Sequence, residues 1–450
     1  MNKQAAPTAL KREVGLWGAV MMGMGSIVGT GVFVSIGIAA GVAGPAVILA
    51  MVVAALVAIC NGLSSAQLAA NHAVSGGTYE YGYKYLTPAL GFTAGWMFLL
   101  AKSASAATAA LGFAGYLLGA LGIDSRQWLV AVALVAVIVL TLVVLGGIRR
   151  SNVANTVIVS ITLASLIFFV LAGLPVVFAN GWSNFVPFFW PATGQEGGAG
   201  AGLGDMMQAL LYASALMFVA YTGYGRIATL GEEVHNPRTT IPRAIVITMA
   251  LTLVLYTSVA FVGIGAVGAE ELSEATSGGA APLERAARSF SLPISPQILS
   301  IGAITAMLGV LLNLLLGLSR VLLAMGRRGD MPPAVAHLNR TGTTPTVAVI
   351  AIGTAIAVLT LIGNVKTTWS FSAFTVLIYY ALTNLAALRL GPGERLYARS
   401  IAWIGLGACL FLAFWVQWEI WAAGLGLLLA GLLWHFVAQR LFGDKASTQS

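Results

Sequence analysis

The sequence predicts an all-α polytopic membrane protein. Twelve transmembrane helices are expected, in a 5+5 inverted repeat followed by two C-terminal helices. Three observations predict this. Of 450 residues, 58% are hydrophobic and only 8% charged, where a soluble domain carries about a quarter charged residues. The apolar residues come in runs of roughly 20, enough to cross ~30 Å of hydrocarbon at ~1.5 Å per residue. Two of those runs, the first and the sixth, are interrupted by glycine.

Residues 1–13 are polar and make an N-terminal tail without the pattern of a cleavable signal. The first repeat, 14–179, holds spans at about 14–40, 45–70, 91–120, 127–147 and 153–179. An extracellular loop over 180–205, rich in Gly, Trp and Pro, leads to the second repeat, 206–389. Its spans fall at about 206–233, 242–267, 295–325, 345–363 and 367–389, and a connection over 268–294 carries Glu270, Glu271, Glu274 and Glu284. The last pair, 398–416 and 418–441 within 390–441, meets in a tight hairpin at Val416-Gln417-Trp418-Glu419, and 442–450 is a second tail. Each repeat opens with a broken span. The first starts inside and the second outside, which makes them inverted copies.

The net charge is +8. Of the Lys and Arg residues, only Arg126, Arg285, Arg288 and Lys366 fall on the far side of these spans, and Lys102 and Arg226 fall inside them. The positive-inside rule then places both termini in the cytoplasm, and the plasma (inner) membrane is the expected location. Nucleic acid is not an expected partner, because the charge is spread over loops instead of gathered with base-reading groups. The two cysteines, Cys60 and Cys409, are read as packing groups. The histidines show no ligand spacing, so neither metal nor cofactor is expected.

The first break is Gly25-Ser26-Ile27-Val28-Gly29-Thr30-Gly31, and the second is Ala220-Tyr221-Thr222-Gly223-Tyr224-Gly225. Irregular backbone survives in hydrocarbon only where it is buried in protein or lines a cavity. A helix restarting near Thr30 would offer unpaired amides and a positive dipole end to a carboxylate. Carbonyls ending the preceding half-helix, with those of Val219 to Thr222, would suit an ammonium. Together these seats match the zwitterionic head of an α-amino acid. Close helix packing accounts for one glycine run by itself, but two at matching positions point to a substrate site in a secondary transporter.

The segments GSIVGTGVF, GPAVILA and SGGTYEYGYKYL resemble the start of amino acid–polyamine–organocation (APC) superfamily permeases. GRIATLGEEVHNPRTTIPRAI and SRVLLAMGRRGDMPP continue the resemblance, which runs over spans one to ten. It implies the leucine-transporter (LeuT) fold and alternating-access transport of amino acids or related amines. By position, the amides of Thr30 and Gly31 would take the carboxylate, and the carbonyls of Ile27, Val219, Ala220 and Thr222 the amine. Ser26, Ala101, Lys102, Ser105, Tyr221, Gly223 and Gly225 complete the expected lining. Val219 stands where many relatives place an occluding aromatic, so gating falls to another group, with Tyr221 and Tyr224 the candidates.

Glu232, Glu233 and Arg238 are expected to form an inner gate, and the stretch from Ser75 to Tyr85 a cytoplasmic connector under the site. Lys102 and Arg226 have no acidic residue at comparable depth, and buried charges usually face a cavity. Lys102 is therefore a candidate proton carrier; alternatively, it and Arg226 attract an acidic substrate group. Thr162 occupies the position where some proton-coupled relatives carry a lysine. Gly225 and Ala101 stand where relatives that carry dibasic substrates tend to place a carboxylate. A neutral amino acid is thus expected first and an acidic one next, with a proton as the candidate coupling ion, or exchange of two amines. An enzyme would need a nucleophile with its base, or a metal cluster, and neither pattern occurs. A channel would need a continuous polar pore or filter, and the breaks are isolated. A non-transporting sensor of the same fold stays open.

Overall fold

The computed structural model describes residues 14–72, 76–123, 125–147, 152–190, 202–228, 234–339, 342–362 and 364–446. Among them there is no strand; one isolated bridge pairs Val14 with Val234. The helices are α1 (Leu16–Ile27), α2 (Thr30–Phe33), α3 (Ser35–Ala43), α4 (Val47–Asn71), α5 (Thr78–Tyr85), α6 (Pro88–Ala120), α7 (Arg126–Leu145) and α8 (Asn152–Asn180). After the 191–201 stretch come α9 (Leu203–Tyr221), α10 (Gly225–Ala228), α11 (Pro237–Gly279), α12 (Pro282–Ala287), α13 (Ser295–Arg327), α14 (Thr346–Leu361), α15 (Val365–Leu388), α16 (Arg399–Ala413) and α17 (Trp418–Ala446). Nine helices among the described residues are long and apolar enough to cross a membrane, with Ser35–Asn71 taken as one; α1, α14 and α16 are shorter and also apolar.

Local chemistry sets the boundaries. Thr87 caps α6 by accepting the Leu90 amide at 3.3 Å, and Pro88 fills the first turn, where no amide partner is lost. Pro237 and Pro282 open α11 and α12 in the same way. Gly44, at φ +62, ends α3, and a Cβ there would strike the Trp190 indole. The span expected over 242–267 starts earlier, and its expected end falls at a break in the helix. It begins at Pro237 and runs to Gly268, whose φ of +85 and ψ of 163 are not helical; a second helical segment follows that kink and stops at Gly279. Much of the 268–294 connection is therefore helical.

Helices α6 and α15 are the most enclosed of the long helices, and α7, α8 and α17 the most exposed. Outward residues such as Leu171, Val254 and Leu429 are large and apolar, as a lipid-facing surface requires. Between α6 and α15, paired hydroxyls replace apolar contact: Ser105 with Ser372 at 2.7 Å and Thr108 with Thr368 at 2.8 Å. The two central helices are thus fixed in register beside the broken segments.

Candidate functional site

The first break is a true unwinding. Helix α1 stops at Ile27, Val28 and Gly29 are extended, and α2 starts at Thr30. The helix does not continue as expected. Val34, at φ −121 and ψ −47, separates the four residues of α2 from α3, so Thr30 and Gly31 contribute first-turn amides with little of a long helix's dipole. The Thr30 hydroxyl is buried and has no hydrogen-bond partner among the described residues. Ser35 Oγ bonds the Gly31 carbonyl.

The second break is milder than the sequence suggests. Tyr221 ends α9, and Thr222–Tyr224 form one 3-10 turn before α10. Tightening the turn lets the Thr222 hydroxyl reach back to the Val219 carbonyl at 2.8 Å.

The two breaks touch through main chain. A Cβ added to Gly223 would collide with the Ser26 carbonyl oxygen and lie 2.6 Å from the Ile27 nitrogen. One added to Gly31 would lie 2.6 Å from Ala220 Cβ and 2.8 Å from its Cα. Here glycine is needed for close approach, not for an unusual dihedral.

Hydroxyls hold the carbonyls expected to meet an amine. Tyr256, from α11, donates to Ile27 O at 2.8 Å and more weakly to Ala220 O at 3.5 Å. Tyr380, from α15, donates to Thr222 O at 3.1 Å. Lys102 lacked an evident partner in sequence. In the structure its Nζ donates to Thr222 Oγ1 at 2.8 Å, which links α6 to the second break.

Other expected residues are more ordinary. Ser26 Oγ bonds Met22 O within its own helix, and Thr162 Oγ1 bonds Ile158 O likewise. Ala101 and Val219 are buried, and Gly225 faces the Tyr380 hydroxyl. Arg226 is half-buried on α10. Tyr221 packs against Tyr256 with ring centroids 5.4 Å apart, and Tyr224 against Tyr380 at 5.3 Å. Glu232 and Glu233 lie outside the described residues. Arg238 donates to Asn71 Oδ1 at 3.3 Å, and Asn71 donates to the Glu394 carbonyl at 2.6 Å.

Sequence reading missed Tyr256 and Tyr380, whose signal was a phenol within an otherwise apolar span. It also missed a buried polar cluster where α5 meets the end of α13. Tyr79 and Tyr83 both donate to Asp330, at 2.6 and 2.7 Å. Arg328 pairs with Glu80 at 2.6 Å and lies 4.0 Å from the Tyr83 ring centroid. Burial first, and then the neighbouring carboxylate, pushes both phenols above their usual range. From α17, Trp434 donates to the Asp330 carbonyl at 3.0 Å. His435 Nδ1 lies 3.3 Å from Asp330 Oδ1, out of line for a hydrogen bond.

The chain is similar over its full length to transporters. It is 38% identical over 450 residues to an uncharacterized transporter of Mycobacterium tuberculosis (strain ATCC 25618 / H37Rv), covering 100% of this chain and 96% of the relative. It is 27% identical to the branched-chain amino acid permease BcaP of Bacillus subtilis (strain 168), covering 96% and 94%. It is 25% identical to the methylthioribose transporter of the same organism, covering 98% and 96%. The sequence pattern described as amino acid permease matches residues 18–449. Membership follows from that match: the chain is a member of the amino acid permease family, within the APC superfamily.

Proposed function

We propose that this protein is a secondary active transporter that moves amino acids across the plasma membrane by alternating access. Neutral substrates are favoured and acidic ones come next. The observation that carries this reading is the main-chain contact of the two breaks, Gly223 on Ser26–Ile27 and Gly31 on Ala220. It gathers unwound backbone from two helices into one buried place, as a midplane substrate site requires.

In this reading the substrate carboxylate takes the amides of Thr30 and Gly31, beside the unpartnered Thr30 hydroxyl. The ammonium takes the carbonyls of Ile27, Ala220 and Thr222. A carbonyl oxygen has two lone pairs, so one bond from Tyr256 or Tyr380 leaves a second acceptor direction. The Lys102 cation beside Thr222 disfavours a second cationic group on the substrate, which places dibasic amino acids last. The name of the branched-chain permease relative agrees with a neutral preference.

Twelve spans in a 5+5 inverted arrangement, both termini cytoplasmic, belong to the same proposal. So does the inner gate of Glu232, Glu233 and Arg238. No phosphate-binding Gly-x4-Gly-Lys-Ser/Thr motif occurs in the sequence, so the energy comes from an ion or substrate gradient. Lys102 is the proposed proton carrier, ahead of Arg226, whose guanidinium stays charged, and of Thr162.

The test is reconstitution into liposomes with imposed pH or sodium gradients and a panel of labelled amino acids. Saturable uptake that an inward proton gradient drives, or that a preloaded amino acid accelerates, supports the proposal. Arginine or putrescine outcompeting neutral amino acids overturns the substrate assignment. Unsaturable current without counterflow overturns transport by alternating access.

A further inference from the structure

A second polar feature lies well apart from the breaks, at the end of the helices that the charge distribution assigns to the outside. A cavity of about 470 Å³ opens between the end of α6, helix α12 and the start of α13, lined in part by Gly119, Glu284, Arg288 and Gln297. Glu284 is 6% exposed, so its carboxylate sits in the wall of this cavity. Its Oε1 accepts from Arg288 Nε at 2.8 Å, and Arg288 Nη2 reaches the Gly119 carbonyl at 3.3 Å.

That leaves two valences open. Among the described residues, Oε2 of Glu284 accepts no hydrogen bond and Nη1 of Arg288 donates none. Gly119 borders Oε2: a Cβ added there would come into van der Waals contact with it, at 3.6 Å. The Glu284 side chain is buried as a whole, but Oε2 opens on the cavity, where it can accept from a ligand, and the half-exposed guanidinium beside it can donate. The pair is neutral overall, so it favours a ligand that is also neutral overall and carries both signs.

We propose that this cavity is an outer docking site for a zwitterionic α-amino acid, with the ligand's ammonium on Glu284 Oε2 and its carboxylate on Arg288. The volume is within the range of small-molecule sites, ~300–1,000 Å³. The site is coupled in structure to the centre. One turn below Gly119, Tyr116 donates to the Phe33 carbonyl at 2.7 Å, in the short helix that follows the first break. The substrate class rests on the amino-acid transport proposed above, whereas the site's existence does not.

The experiment places a reporter thiol at Gln297, on the cavity wall, as Gln297→Cys in a Cys60→Ser background of the full chain in proteoliposomes. The labelling rate with a small polar maleimide is read with a mixture of L-amino acids, with their amides, and with their N-acetyl derivatives. The amino acids should slow labelling about tenfold at about ten times the dissociation constant; neither derivative should do so. Glu284→Gln and the exposed-site variant Arg288→Gln should each abolish the protection, and the second leaves the buried carboxylate in place should the first fail to fold. Equal protection by the amides would reduce the site to a cation seat and overturn the proposal, as would no protection by any mixture. Uptake measured in the same vesicles separates the two readings: uptake without protection sinks the outer site alone, and protection without uptake sinks the transport reading alone.

Discussion

The Nζ of Lys102 donates to Thr222 Oγ1 at 2.8 Å, and Thr222 Oγ1 donates onward to the Val219 carbonyl at 2.8 Å. A cation on α6 is thereby joined through one hydroxyl to the last turn of α9, at the negative end of that helix's dipole. Loss of a proton from Lys102 would remove the charge that this end attracts and release the 3-10 turn to rearrange.

Replacing the amine should therefore separate binding from coupling. In Lys102→Met, substrate exchange should persist while acceleration by an inward proton gradient falls about a hundredfold or more, the size expected for one positioned proton-transfer group. Uptake measured against pH checks this; an unchanged rate and an unchanged pH profile would remove Lys102 from the mechanism.

Gly223→Ala and Gly31→Ala should both be severe, because the new methyl meets main chain that cannot swing away. Overpacking of this kind costs about 1–3 kcal/mol, and uptake should drop by more than the loss of folded protein accounts for. Gly317→Ala is the control. Nothing lies within 4 Å of a Cβ at that position, so expression, thermal stability and uptake should match the parent.

Tyr256→Phe should leave the Ile27 carbonyl without its 2.8 Å donor while keeping the ring packed on Tyr221. The expected loss is about 1 kcal/mol of stability, together with an altered KM for amino acids, since the variant changes the acceptor group proposed for the ammonium. Differential scanning fluorimetry and initial-rate uptake read the two effects. A variant identical to the parent in both would exclude Tyr256 from the site.

The cluster around Asp330 predicts a pH signature. Tyr79 and Tyr83 hold their protons above the usual phenol range in the fold, so their contribution is complete below about pH 10. It is lost above that, as the unfolded chain ionises its phenols while the folded one does not. Tyr79→Phe should flatten the fall of Tm above about pH 10. Equal slopes in parent and variant would disprove the assignment.

The all-helical character and the two breaks were legible in sequence because clustered glycines weaken a long apolar helix, and they persist where backbone must unwind or approach closely. The contact between the breaks was not legible, since it depends on how residues some 200 positions apart come together. Lys102 could be singled out by its cost in hydrocarbon, yet Thr222 is its partner only because α6 and α9 lie side by side. Tyr256 and Tyr380 looked like aromatic packing, and only their oxygens' positions against Ile27 and Thr222 reveal a polar task. His435 was one scattered histidine until α17 placed it beside Asp330, more than 100 positions away.

Where Gly223 rests on Ser26 and Ile27, no flexible side chain separates the two backbones. Such a joint has no cushion: a push on one strand of peptide is felt at once by the other. The pair must then travel as a single lever in any motion of these two helices, and any slack must come from the helices that surround it.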